Sequence, residues 1–247
     1  MMDKANIRKT ILSISSPGTH LVPGNDELGA HLSRQCNQYA ADLKEKMSDR
    51  FGYFASLPIP DVDACLREIE LASEEGCDGF VLMTNSHGVY PGDAVLAPVF
   101  DELNRRKAVV FFHPTTPRCP CSHEAMAAGQ HPLKAAPFAG RYPNPMFEFF
   151  FDTARTIIHL FLSGTVKRCP DIKFIFSHLG GAMPPILSRF SEFSKFVPVP
   201  WEKTSEAEVR EAFKMQIWFD LAGFAFPGQI QGLLAAGGQP DRLLYGR

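Results

Sequence analysis

Two histidines in this chain each follow a run of apolar residues. Residues 108–117 read Ala-Val-Val-Phe-Phe-His-Pro-Thr-Thr-Pro, and residues 172–181 read Ile-Lys-Phe-Ile-Phe-Ser-His-Leu-Gly-Gly. Runs of this kind predict strands that are buried on both faces, as in parallel sheets. Pro114 has no backbone N–H and must end the first strand at His113. Ligands of parallel α/β folds bind at the carboxyl ends of the strands, so we expect His113 and His178 at a binding edge.

Imidazoles from different strands that meet at one edge suit a divalent metal of the zinc or manganese kind. Such a site normally needs three or four protein ligands, whereas His113 and His178 are the two good candidates here. From the sequence alone, a histidine that only hydrogen-bonds at a strand end is an equally good interpretation of either residue. Other polar residues at predicted strand ends are Ser15, Ser16, Asn85, Ser86, His87 and Asp220.

Composition excludes several classes of protein. The chain has 247 residues, 45% hydrophobic residues and a net charge of −2, which predicts one large α/β domain over residues 1–247 and no nucleic-acid surface. It has no apolar run of the roughly 18 residues that a membrane span needs and no signal-peptide core, so we expect a cytosolic protein without membrane contact. The six cysteines lack a framework spacing and are expected to be reduced. The Cys-x-Cys-x-His cluster at 119–123 does not match the usual spacing of structural zinc sites.

Strands and helices are predicted to alternate along the chain. The predicted strands cover residues 9–15, 51–57, 79–84, 108–113, 172–178, 217–222 and 242–246. The helices between them include one capped by Asp61, one capped by Asp93, a long apolar helix at 147–169, and one led by Thr204 and Ser205. This alternation favours an eight-stranded (β/α)8 TIM-like barrel that lacks one strand, presumed to be the first. A doubly wound sheet would tolerate seven strands, but no Gly-x-Gly-x-x-Gly turn follows any of them.

The connection from Thr115 to about Pro145 is rich in proline, glycine and small residues. It exceeds the roughly 12–15 residues usual for a structureless connection. We therefore predict a lid or a binding loop.

Six segments, in order along the chain, resemble the decarboxylase branch of the amidohydrolase superfamily. They are Val-Leu-Met-Thr-Asn (81–85), Asp-Ala-Val-Leu-Ala-Pro-Val-Phe-Asp-Glu-Leu-Asn-Arg-Arg (93–106), Val-Val-Phe-Phe-His-Pro (109–114), Phe-Phe-Asp-Thr-Ala-Arg (150–155), Phe-Ser-His-Leu-Gly-Gly-Ala-Met-Pro (176–184) and Asp-Arg-Leu-Leu-Tyr-Gly (241–246). The branch includes the aminocarboxymuconate-semialdehyde and γ-resorcylate decarboxylases. Within it, the chain is most similar to the fungal 6-methylsalicylate decarboxylases.

The resemblance implies a distorted eight-stranded barrel that holds one divalent metal, Zn²⁺ or else Mn²⁺. It implies that His113 is a metal ligand and that His178 is catalytic. The candidate substrate-binding residues are Asn85, His87, Asp152, Arg155 and Asp220. For four of these a structural alternative stays open. Asp152 and Arg155 could form an ion pair on a helix, Asp220 could cap a turn, and His87 could be a loop histidine without a role in binding.

The chain departs from the family pattern in three places. It has no counterpart of the His-x-His or Glu-x-His metal pair on the family's first strand. The family reads Tyr-Gly-Ser-Asp-Phe where this chain reads Tyr245-Gly246-Arg247, and several relatives carry an acidic residue at the position of Gly181. We therefore expect a chain truncated at both ends relative to the family, with weak metal binding and slow turnover.

The implied activity is that of a carboxy-lyase on a small salicylate-type acid, such as conversion of 6-methylsalicylate to m-cresol in a fungal polyketide pathway. Two alternatives are a metal-dependent hydrolase on the same barrel and a catalytically inactive truncated form. The expected partner is a small aromatic carboxylic acid. Family habit also suggests a homodimer, with the aromatic residues at 147–151 as a candidate contact.

Overall fold

Seven parallel strands lie side by side in the order in which they occur along the chain. The computed structural model describes residues 2–119, 133–138, 140–198 and 200–246. The strands of the main sheet are β1 (Thr10–Leu12), β2 (Phe51–Ser56), β3 (Gly79–Met83), β4 (Val109–His113), β7 (Lys173–Phe176), β8 (Ile217–Asp220) and β9 (Leu243–Leu244). Within the described residues, β1 and β9 form the two edges of this sheet. The predicted α/β fold, with parallel strands in the order of a barrel, is confirmed.

The helices fall between these strands. They are α1 (Asp26–Lys46), α2 (Val62–Glu74), α3 (Ala97–Arg105), α4 (Glu148–Leu162), α5 (Thr165–Arg168), α6 (Leu187–Phe196), α7 (Glu206–Met215) and α8 (Gly228–Ala235). Short 3-10 turns lie at Asp3–Ala5, Ala94–Leu96, Asn144–Met146, His178–Gly180, Pro184–Ile186 and Pro240–Arg242. No helix in the described parts of the chain combines the length and apolar character that crossing a membrane requires.

Side-chain caps define several helix starts. The Asp61 carboxylate accepts from the N–H of Ala64 at the start of α2, as predicted. Ser205 and Glu208 form a reciprocal capping box at the start of α7. The predicted cap by Asp93 is wrong, because its carboxylate accepts from the N–H of Tyr90 instead.

The single long helix predicted over 147–169 is also wrong. The chain forms α4 and then the short α5, with Gly164 between them at φ +75°. A residue in this left-handed conformation cannot continue a right-handed helix, and glycine adopts it without steric penalty. Apolar periodicity continues across the break, which is why the sequence pattern did not reveal it.

Three phenylalanines pair with one another across neighbouring strands, and they show which way the residues at the strand ends point. Phe112 pairs with Phe176, and Phe176 pairs with Phe219, across β4, β7 and β8. All three are fully buried in the core against the helices. Because successive strand residues point to opposite faces, the next residues, His113 and Asp220, point to the inner face of the sheet.

Part of the 115–145 connection is ordered as a hairpin of two short antiparallel strands, β5 (Arg118–Cys119) and β6 (Leu133–Lys134). Residues 120–132 lie outside the described part, so the predicted lid and the Cys121 and His123 cluster stay untested. Within the described ranges, four cysteines are free thiols, namely Cys36, Cys65, Cys77 and Cys169. The expectation of reduced thiols is wrong for Cys119, which is disulfide-bonded.

Candidate functional site

His113 ends β4 with its imidazole in a defined orientation. Its Nδ1 lies 2.8 Å from the carbonyl oxygen of Pro114. A carbonyl only accepts hydrogen bonds, so Nδ1 carries the proton and Nε2 keeps a lone pair. Histidines that ligate metals are commonly held in this way, by a hydrogen bond from the second ring nitrogen to a carbonyl. The geometry suits a ligand role for His113.

His178 follows β7 in a short turn, where its backbone has φ +54°. Its backbone N–H donates to Oδ1 of Asp220 at 2.8 Å, and its carbonyl accepts from the side chain of Gln229. The ring packs against Phe150, with 5.3 Å between ring centroids. Its Nδ1 is buried and has no hydrogen-bond partner within the described chain. The main chain of this turn is therefore fixed while one ring nitrogen remains available.

Burial lowers the pKa of both His113 and His178 below the ordinary histidine value. The carbonyl of Pro114 opposes this effect at His113, and the charge of Asp220 opposes it at both rings. A positive charge on His178 would lower the pKa of His113 further. The structure thus brings these three groups within electrostatic reach of one another at the ends of β4, β7 and β8.

The described residues do not assemble a complete metal centre. No group of three or more histidine, cysteine, aspartate or glutamate side chains is placed to hold an ion in the described ranges. His113 fits the role of one ligand, but Oδ1 of Asp220 is engaged by the backbone N–H groups of His178 and Ala222. Asp220 therefore caps the turn, which is the structural alternative that the sequence left open. Its contact with substrate stays a prediction.

Asp152 lies at the centre of a buried polar cluster. Its side chain has no exposed surface, and its carboxylate accepts from Thr84, from Tyr90 and from Nδ2 of Asn85 at 2.8 Å. Arg155 lies 3.6 Å from the same carboxylate, so the predicted ion pair is present. Nδ2 of Asn85 also donates to the carbonyl of Thr116. Asp152 thus ties the end of β3 to α4, and Asn85 continues the link to the segment after β4 through Thr116.

Two of the predicted substrate-binding residues line a cavity of about 100 Å³. They are Asn85 and His87, and the cavity extends past the ends of β2 and β3 to Thr115 and Arg118. Sequence reasoning missed His20, which lines the same cavity with its ring 5.1 Å from that of His87. Its position shortly after β1 was the signal that could have revealed it.

Comparison with known proteins extends this picture. The amidohydrolase family profile matches residues 14–247. The chain belongs to the amidohydrolase family. It is 34% identical to the decarboxylase MacB of Penicillium terrestre, over 100% of this chain and 71% of that protein. It is 31% identical to the 6-methylsalicylic acid decarboxylase AcuB of Aspergillus aculeatus, over 98% of this chain and 69% of that protein.

Solved structures share the fold of this chain. One crystal structure of an amidohydrolase superposes with a TM-score of 0.83 at 30% identity, over 99% of this chain and 72% of that one. The 5-carboxyvanillate decarboxylase of Novosphingobium aromaticivorans, solved with bound manganese, has a TM-score of 0.79 at 24% identity, over 100% of this chain and 68% of that one. The named relatives are decarboxylases, which are carboxy-lyases, so the predicted decarboxylase branch is confirmed.

Proposed function

We propose that this chain catalyses the non-oxidative decarboxylation of a small aromatic acid that carries a hydroxyl group beside its carboxylate. The main support for the proposal is that His113, His178 and Asp220 lie at the same edge of the main sheet. The decarboxylases named among the relatives support the reaction class. The 6-methylsalicylic acid decarboxylase among them supports 6-methylsalicylate as the first substrate to test.

Decarboxylation of such an acid breaks the bond between the ring carbon and the carboxylate. Carbon dioxide leaves, and the same ring carbon takes up one proton. A group that holds a proton near the ring is therefore required, and positioned acid catalysis of this kind typically contributes about 10²–10⁴-fold. His178 is the candidate, because its Nδ1 has no partner within the described chain and its main chain is fixed by Asp220.

A divalent ion, zinc or manganese, would have Nε2 of His113 as one ligand. The described residues provide no set of three ligands, so they do not fit a closed metal site. What the chain itself supplies is an oriented imidazole at His113, a second imidazole at His178, and the cluster around Asp152 that fixes the strand ends.

The test is a product assay on the purified chain. It would be incubated with 6-methylsalicylate and with 2,6-dihydroxybenzoate, each with and without added Mn²⁺ or Zn²⁺, and m-cresol or resorcinol would be measured by chromatography. His178→Gln removes the candidate proton-transfer group and should lower turnover by about 10²-fold or more. His31→Gln alters an exposed histidine and is the matched control.

Two results would overturn the proposal. One is the absence of either phenolic product under all metal conditions. The other is hydrolysis of a lactone panel without release of carbon dioxide, which would instead support the hydrolase alternative.

A further inference from the structure

The cavity beside the strand ends has an apolar side, which is formed by β3 and by the residues just after β2. The side chains on this side are Leu57, Ile59, Val81 and Met83. The volume of about 100 Å³ far exceeds the roughly 10–15 Å³ that one water molecule needs. A cavity with apolar walls and a few polar groups is typical of a small-molecule site. The ligand that it selects depends on which of those polar groups are available.

Ser56 ends β2 and lines this cavity. The residue before it, Ala55, belongs to the hydrophobic core. Because successive strand residues point to opposite faces, the side chain of Ser56 points to the inner face of the sheet. Its register partner on β3 is Val81, which lines the cavity beside it. The side chain of Ser56 is therefore directed toward the cavity.

The hydroxyl group of Ser56 is buried and has no hydrogen-bond partner within the described chain. Ser56 as a whole is only 4% exposed. A buried hydroxyl group without a partner costs free energy, because it has lost its hydrogen bonds to water. A ligand atom that bonds to this group would recover that cost.

The other hydroxyl groups of the described residues that line the cavity already have partners. Thr115 Oγ1 lies 2.8 Å from Oγ of Ser16, and Ser86 donates to the carbonyl of Ile59 at 2.6 Å. The remaining pairs are Thr19 with Ser33 at 2.7 Å and Thr116 with Asn144 at 2.8 Å. Ser56 therefore provides the available hydroxyl group.

The main chain of Ser56 is held by Asn37 of α1. The N–H of Ser56 donates to Oδ1 of Asn37 at 2.8 Å, and its carbonyl accepts from Nδ2 at 2.9 Å. Nδ2 also donates to Oε1 of Glu68 at 2.7 Å, and Asn37 is 2% exposed. The Ser56 hydroxyl group thus extends from a fixed main chain, as a preorganised binding group should.

The cavity adjoins the strand end that carries His113. Met83 lines the cavity and is the register partner of His113 on β4. Neighbouring strands lie only about 4.8 Å apart. An aromatic acid whose carboxylate lies near His113 would therefore place its ring beside Met83, on the side of the cavity that leads to Ser56.

We propose that Ser56 is a specificity-determining residue, whose hydroxyl group bonds to a hydroxyl group on the ring of the bound acid and selects it over a methyl group. The substrate class rests on the proposed function, whereas recognition of a ring hydroxyl does not require turnover. A ring hydroxyl can donate to Ser56 or accept from it, and a methyl group can do neither. The preferred acid therefore has a second ring hydroxyl, as 2,6-dihydroxybenzoate does, in place of the methyl group of 6-methylsalicylate.

The experiment is an NMR titration of the chain with phenol and with toluene, observed at the methyl group of Met83 in the cavity wall. The two ligands differ only in the group on the ring. Ser56→Ala should weaken phenol binding about fivefold, the usual contribution of one hydrogen bond, and should leave toluene binding nearly unchanged. Comparing both ligands on both proteins cancels changes in apolar contact. Ser56→Cys keeps a group of similar size with a weaker donor and should give an intermediate affinity for phenol.

Ser194→Ala is the matched control. Ser194 is also a buried serine, but its hydroxyl group bonds to the main chain of Ser191 and Thr204. This control should lower stability in urea and leave both affinities unchanged. Ser56→Ala should be at least as stable as the parent, because it removes a hydroxyl group without a partner.

Turnover gives a second measurement on the same variants. The ratio of kcat/KM for 2,6-dihydroxybenzoate to kcat/KM for 6-methylsalicylate should fall about fivefold or more in Ser56→Ala. The same ratio should not change in Ser194→Ala. A merely structural role of Ser56 would lower both rate constants together and would leave their ratio unchanged.

Three results would overturn the inference. They are the absence of phenol binding to the parent, phenol binding that Ser56→Ala leaves unchanged, and a loss of stability in Ser56→Ala like that of Ser194→Ala. Decarboxylation with any of these results would remove this inference alone. A loss of phenol affinity in Ser56→Ala, without any phenolic product from either acid, would remove the proposed function alone.

Discussion

The backbone N–H of His178 donates a 2.8 Å hydrogen bond to Oδ1 of Asp220, which ties the end of β7 to the end of β8. The same oxygen accepts from the N–H of Ala222 at 3.0 Å. Asp220 is 7% exposed, so water cannot readily replace it. One carboxylate oxygen thus sets both the turn that carries His178 and the exit of β8.

Replacing Asp220 by alanine should destabilise the protein and slow turnover together. The change leaves two N–H groups without an acceptor, and we expect the free energy of unfolding to fall by about 2–3 kcal/mol. Asp220→Asn retains Oδ1, so its free energy of unfolding should stay within about 1 kcal/mol of that of the parent. Urea denaturation measures both values. Asp49→Ala, at an exposed position, is the control. Equal stability of Asp220→Ala and the parent would show that this hydrogen bond is unimportant.

Gly181 follows His178 in the same turn and permits a close approach of two backbones. It has φ +61°, and a Cβ there would lie 2.3 Å from the carbonyl oxygen of Phe150 on α4. Gly181→Ala should lower the free energy of unfolding by more than about 2 kcal/mol, because strain and a backbone clash add. A larger side chain, such as an acidic one, likewise has no room at this position.

Gly232 provides the matched control for that prediction. It lies within α8, and a Cβ there would contact nothing within 4 Å. Gly232→Ala should raise the free energy of unfolding by about 0.5–1 kcal/mol, because alanine is the better helix former. A Gly181→Ala protein at least as stable as the parent would refute the close approach at Gly181.

Local sequence signals predicted the strand ends well. His113 ends β4 because the apolar run before it is followed by Pro114, and both signals are adjacent in the sequence. Asp61 caps α2 for an equally local reason. Such features depend on neighbours along the chain, which a single sequence displays.

Contacts between distant segments were not predictable in the same way. His20 and His87 are 67 residues apart, and only the packing of the β1–α1 connection against the end of β3 brings their rings together. Asp152 meets Thr84 and Asn85 across a similar separation, so its structural role was visible only in the fold. The break at Gly164 was missed because its apolar neighbours suit a helix on either side.

His159 should make stability depend on pH. Burial holds its pKa below the ordinary value, while Asp93 opposes the effect. Below about pH 6.5 the unfolded chain binds a proton that the folded chain does not, so the free energy of unfolding falls as pH falls. Above that pH the residue has no such effect. As the pH falls further, the free energy of unfolding continues to decrease until the folded state also binds the proton.

The measurement is urea denaturation at several pH values between about 7.5 and 5. His159→Gln should reduce the loss of stability on acidification by up to about 1 kcal/mol, since glutamine does not titrate. His31→Gln removes an exposed histidine and should leave the slope unchanged. A steeper loss in His159→Gln than in the parent would contradict the prediction.

Asp152 should tolerate neither alanine nor asparagine, in contrast to Asp220. Its two carboxylate oxygens accept from Tyr90 on one side and from Thr84 and Asn85 on the other. Alanine would leave all three donors unpaired, and asparagine would turn an amide N–H₂ toward donors on one side. Each change should lower the free energy of unfolding by about 3 kcal/mol or more, because Asp152 and its donors Thr84 and Asn85 are buried.

Tyr90→Phe removes one donor and leaves the others paired, so its expected cost is only about 1 kcal/mol. Because the cluster also fixes Asn85, a candidate substrate-binding residue that lines the cavity, the Asp152 variants that still fold should turn over 6-methylsalicylate more slowly, whereas Tyr90→Phe should turn it over nearly as the parent does. Urea denaturation and the product assay on the same preparations test both statements. An Asp152→Asn protein with parental stability and turnover would contradict the prediction.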